Sequence, residues 1–220
     1  MATVRNDDSP TDWHAWHQPY EDAASPLSRR LSIVQSAIAD LLDERPDGAL
    51  TIVSACAGQG RDLLGALAGR PDSGRVRTVL IERDPHNADF ARNAADASGL
   101  TGVEVRIADA GAGSSYAGAL PADLLLMVGV FGNISDADVQ RTIEALPAMC
   151  STGGAVVWTR SRRDPDLTPA IRHWFNDAGF TEAAFHAPED VLFSVGVHRL
   201  NAAPTSALGP ELGHLFHFLR

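Results

Sequence analysis

The feature that most constrains the fold of this chain is the run Thr51-Ile52-Val53-Ser54-Ala55-Cys56-Ala57-Gly58-Gln59-Gly60-Arg61-Asp62-Leu63-Leu64. Its apolar first half reads as a buried strand, its middle as a tight turn of small residues, and its end as the start of a helix. A second apolar run, Thr78-Val79-Leu80-Ile81, ends in Glu82, 22 residues after Gly60. A strand, a small-residue turn, a helix and a second strand ending in an acid make a unit suited to a nucleotide-like ligand. The small residues let the backbone approach the ligand, and the carboxylate accepts hydrogen bonds from ribose hydroxyls. Asp62 either complements the helix dipole or bonds an amino group of the ligand. Asp84 reads as the cap of a helix whose first residue is Pro85. Cys56 reads as a small space-filler, since nothing beside it in sequence would lower its thiol pKa.

Strands and helices alternate around this unit. Strands are expected near 50–56, 77–82, 102–107, 123–130 and 153–159, and helices near 60–69, 85–98, 136–149 and 167–178. This alternation predicts a parallel sheet with helices on both faces. Upstream, Ser25-Pro26 reads as a helix start. Leu27, Leu31, Val34, Ile38, Leu41 and Leu42 then recur at helical spacing as far as Arg45-Pro46. Downstream, the runs 180–185 and 191–200 read as two strands with no helix between them, which makes an antiparallel hairpin. Residues 201–213 form a Gly/Pro-rich loop, and 215–219 can be a short docking strand. Residues 1–12 are polar, and 13–20 form a dense aromatic and histidine cluster.

Composition removes several functions. The chain contains no lysine, so all 18 basic residues are arginine. A Walker lysine, a pyridoxal-phosphate Schiff base and a Tyr-x-x-x-Lys dehydrogenase pair are therefore absent. The formal net charge of −10 disfavours nucleic acid as a partner, because phosphate contacts need clustered cations. The two cysteines are far apart and show no zinc spacing, and no run approaches the roughly 20 apolar residues of a membrane span. The polar N-terminus lacks the apolar core of a signal peptide, so a cytoplasmic location is expected.

The same residues resemble the cofactor site of class I S-adenosylmethionine (SAM)-dependent methyltransferases, over roughly Pro26 to Leu200. That family's first loop follows acid-x-Gly-x-Gly-x-Gly. Gly58 and Gly60 match the last two glycines, while Cys56 stands at the first and Ser54 at the acid. The terminal strand hairpin also looks like this fold. The resemblance implies an α/β, Rossmann-like doubly wound sheet, mostly parallel, with a final antiparallel hairpin and an N-terminal helical segment. Residues 26–220 would be a single SAM-binding domain, and 1–25 a possible lid. The implied cofactor is SAM, held by Ala57, Gly58, Gly60, Asp62, Glu82 and Arg83. Asp109 either takes the adenine amino group, as the resemblance implies, or serves as a capping or turn acid, and Ala110 would give a backbone contact. Val128 and Gly129 would contribute from the loop after the fourth strand, and Tyr20 or Arg30 would bind the cofactor carboxylate.

The acceptor side is more open. His14 or His17 would be a general base, or the Trp13–Tyr20 cluster packs on the sheet edge. These two histidines have no evident third ligand for a metal. Phe131 offers an apolar wall, and Asn133 either orients substrate or makes a turn. Arg160 either clamps an acidic substrate or pairs with Asp164 or Asp166. The expected partner is a small-molecule methyl acceptor, and a homodimer is compatible with the sequence. Two other functions fit the pattern: an NAD(P)-linked oxidoreductase and a non-catalytic SAM-binding protein.

Overall fold

The computed structural model describes residue 22, residues 24–201 and residues 213–219. Helix α1 (Pro26–Asp43) is followed by β1 (Leu50–Ala55), α2 (Arg61–Leu67), β2 (Val76–Glu82), α3 (Pro85–Ala97), β3 (Val103–Ile107) and β4 (Ala122–Met127). Then come α4 (Asp136–Met149), β5 (Cys150–Ser161), α5 (Thr168–Asp177), β6 (Phe180–His186) and β7 (Phe193–Leu200).

The helix starts follow local chemistry. Ser25 Oγ accepts the Ser28 N–H at 3.1 Å ahead of Pro26. Asp84 does the same for His86 at 2.8 Å ahead of Pro85, and Ser135 for Asp138 at 3.1 Å. Each side-chain oxygen satisfies a helix-end donor that has no intrahelical partner.

The strands form one sheet in the order β3-β2-β1-β4-β5-β7-β6. All neighbours run parallel except β7, which is antiparallel to both β5 and β6. The expected hairpin is thus present, with β7 inserted between β5 and β6. The sheet is buried on both faces. On one, α4 and α5 cover Val53, Val79, Leu125 and Val156. On the other, α1, α2 and α3 cover Ile52, Leu80, Leu124 and Val157. Burial on both faces explains why these strands read as continuous apolar runs rather than alternating ones.

Because β1 to β4 are parallel, their C-terminal ends share one edge, where ligands of open α/β sheets bind. Helix α1 runs between the two edges. At its C-terminal end, Glu44 pairs with Arg199 and Arg45 bonds Asp123 and the Gly153 carbonyl. At its N-terminal end, Arg29 pairs with Asp190 in the β6–β7 connection at 2.6 Å. The chain therefore enters α1 at the edge where the ligand loops gather. Among the described residues, no helix is long and apolar enough to cross a membrane.

Candidate functional site

The loop after β1 is held in a demanding conformation. Cys56, Gly58 and Gly60 adopt φ values of 50°, 56° and 68°. Glycine takes the left-handed region freely, whereas Cys56 carries a side chain there at a cost of about 1 kcal/mol. Its thiol packs among core residues, and no cation among the described residues lowers its pKa. Burial, with the charges of Glu82 and Asp109, pushes its pKa up. This agrees with a space-filling role.

Glu82 closes the loop. One carboxylate oxygen accepts the Gly58 N–H and the other the Asp84 N–H, each at 2.7 Å. One acid thus joins the loops after β1 and β2. Desolvation raises its pKa, opposed by the backbone N–H groups. Arg83 beside it is exposed. Asp62 lies buried in the first turn of α2, where its oxygen accepts the Leu63 N–H at 2.7 Å. Burial raises its pKa, while Arg30 is close enough for its charge to favour the carboxylate. Two residues expected at the cofactor's amino-acid end are therefore brought together.

After β3, Asp109 extends a side chain that is 54% exposed. One of its oxygens accepts the Gly111 N–H at 2.8 Å. Ala110 is buried, and its carbonyl accepts the Tyr116 hydroxyl at 2.8 Å. Ile107, the register partner of Glu82, is 52% exposed and gives an apolar surface on this rim. Sequence reading passed over it, although an isoleucine at the end of an edge strand beside a polar turn was a usable signal.

The loop after β4 differs from expectation in three ways. Strand β4 stops at Met127, and residues 128–134 turn on themselves. Gly129 donates its N–H to Thr159 Oγ1 at 2.8 Å, and Asn133 donates its amide to the Gly129 carbonyl at 2.6 Å. The Asn133 amide thus makes the turn. Phe131 is not a wall of the site: it is fully buried against Trp158 and Phe175. Its apolar area is better satisfied in the core than on the rim. Arg160 donates to the Phe131 carbonyl and pairs with Asp136 at 3.3 Å, rather than with Asp164 or Asp166. His14, His17 and Tyr20 lie outside the described residues. No group of three metal-ligating side chains occurs among the described residues.

The segment 213–219 docks across this rim, as the apolar tail suggested. It bridges Ala112 through His214 and Ile134 through Phe218. Leu215 and Phe216 are buried in the core shared with α4.

No protein-family profile and no curated sequence matches the chain. Solved structures match closely in shape. An O-methyltransferase family protein from Burkholderia thailandensis superposes with TM-score 0.66 at 17% identity, covering 86% of this chain and 60% of that one. Magnesium protoporphyrin IX methyltransferase from Synechocystis PCC 6803, with bound SAM, gives 0.63 at 13% identity over 86% of this chain and 91% of its own. The (4+2)-cyclase SpnF gives 0.56 at 14% identity over 76% and 80%. The seven-stranded sheet with its antiparallel β7, together with these superpositions, shows that the chain has the fold of these methyltransferase structures.

Proposed function

We propose that the chain is a SAM-dependent methyltransferase with a small-molecule acceptor. The observation that carries this reading is the pair of acids on adjacent loops. Glu82 is fixed by two backbone donors, and Asp109 is one strand further along with its carboxylate exposed. Glu82 would take the ribose hydroxyls and Asp109 the adenine amino group. Asp62 and Arg30 would meet the charged amino-acid end. Ala57, Gly58 and Gly60 supply a loop without bulky side chains, and Val128 and Gly129 form the neighbouring wall.

Bound SAM supplies a methyl group on a positively charged sulfur, already activated for attack. The protein's task is then to orient the acceptor, and proximity can provide most of the rate. This fits a site in which Asn133 and Arg160 are committed to loop structure. The entry of the chain into α1 at the ligand edge supports residues 1–25 as a lid, with His14 or His17 as candidate bases. Deleting residues 1–20 should then abolish turnover while leaving the sheet folded. Full turnover in the truncated protein would remove the lid.

S-adenosylhomocysteine should raise the melting temperature of the purified protein and NADH should not, since only a ligand of the native state stabilises it. The reverse pattern would favour the NAD(P)-linked alternative. A second reading, a non-catalytic SAM-binding protein, is favoured by the first loop, where Cys56 and Ser54 stand in place of the family's glycine and acid. Transfer of a labelled methyl group to any small acceptor would dismiss it.

A further inference from the structure

The C-terminal segment reaches the part of the site assigned to adenine. Leu215 donates its N–H to the Gly111 carbonyl at 2.7 Å, and Gly113 donates to the Gly213 carbonyl at 3.1 Å. The Leu215 carbonyl accepts Arg141 Nε at 3.2 Å and Thr142 Oγ1 at 3.4 Å. These bonds tie the segment to both the β3 loop and α4. They place the His214 ring over Gly111, with Nε2 3.5 Å from the second oxygen of Asp109. The ring stacks on His217 at 3.9 Å, and the His217 N–H bonds Asp138 at 3.2 Å. Gly111 leaves the room for this. A Cβ there would overlap the Phe216 carbonyl oxygen and sit 2.9 Å from the His214 ring.

Asp109 is thus gripped from two sides. The Gly111 N–H holds one oxygen, and His214 stands beside the other. A carboxylate on a half-exposed side chain has a soft terminal torsion, which the Gly111 bond and the His214 contact together restrict. Orientation matters, because reading an exocyclic amino group requires an acceptor aimed at it.

We propose that His214 is a positioning residue of the cofactor site, which orients the Asp109 carboxylate and so sets the preference for a 6-amino purine. The assignment rests on the methyltransferase reading given above. Its structural logic is that a segment distant in sequence completes the adenine end of the site.

The test uses the full chain and two probes, S-adenosylhomocysteine and S-inosyl-homocysteine, which carries oxygen in place of the adenine amino group. Wild-type protein should prefer the adenosyl ligand by about tenfold, because the 6-oxo group faces Asp109 acceptor to acceptor. His214→Phe keeps an aromatic ring for the stack and removes the polar contact. It should lower that preference at least about threefold, with the inosyl affinity and the ligand-free melting temperature unchanged. His214→Gln, which retains a donor, should recover the preference. An unchanged ratio in His214→Phe, or both affinities falling in parallel, would overturn the assignment. Equal binding of the two probes by wild type would also overturn it while leaving the cofactor reading intact. If wild type binds neither probe, the cofactor reading fails and this assignment fails with it.

Discussion

Replacing Glu82 by Gln tests whether one side chain both builds the site and serves it. The carboxylate accepts two backbone N–H groups at 2.7 Å, from Gly58 and Asp84, and the residue is 9% exposed. An amide of the same shape can accept only one of them. Its NH₂ must then face the other donor, leaving a buried N–H without a partner. One charge-assisted bond becomes neutral and the other is lost, a cost of about 2 kcal/mol. For a domain of this size that lowers the melting temperature by roughly 4–8 °C. Binding of S-adenosylhomocysteine should weaken by a further 1–3 kcal/mol or so, about 5- to 150-fold in Kd, through the ribose contact. Denaturant titration gives the first quantity. Calorimetric titration well below the transition gives the second, with only folded protein present. A variant with wild-type stability would mean that the two backbone bonds do not constrain the loop. A variant that loses stability yet keeps full affinity would mean that Glu82 is purely architectural.

Two further perturbations probe the far side of the sheet. His198 is buried, its Nδ1 accepts Trp158 Nε1–H at 3.1 Å, and its Nε2 has no hydrogen-bond partner among the described residues. Burial lowers its pKa from 6.5 to about 4, against the opposing charge of Glu182. The unfolded chain therefore binds a proton first on acidification, so stability is complete above about pH 6.5 and falls towards pH 4. The loss is about 3 kcal/mol at about 1.4 kcal/mol per pKa unit. Denaturant titrations across this range should show that slope in wild type and lack it in His198→Gln. Equal slopes would refute the assignment. Gly196→Ala should destabilise by about 1–3 kcal/mol or more, because a Cβ there would overlap the Trp158 indole. A neutral result in denaturant would show that Trp158 can move aside.

The fold was largely legible because parallel strands buried on both faces leave near-continuous apolar runs, as in Thr51–Ala55 and Leu124–Met127. The hairpin was legible because the interval 187–192 is too short for a helix crossover. The insertion of β7 between β5 and β6 was not, since strand order is set by packing that no local pattern records. Within the site, the spacing of Glu82 after Gly60 pointed to the two loops that the carboxylate joins. The inward turn of Phe131 could not be read. Its environment is made by Trp158 and Phe175 from other elements. The partner of Arg160 was missed because Asp136 lies across a loop rather than nearby in sequence. His214 was missed for the same reason, since it meets Asp109 only once Leu215 and Phe216 are buried.

The most direct measurement is a crystal structure of the full chain grown with S-adenosylhomocysteine. The account predicts ligand density along the C-terminal edge of β1, β2 and β3. The ribose hydroxyls should lie on Glu82, the adenine amino group on Asp109, and the sulfur should face the loop of residues 128–134. Density elsewhere on the molecule, or a ribose that leaves Glu82 bonded only to Gly58 and Asp84, would contradict it.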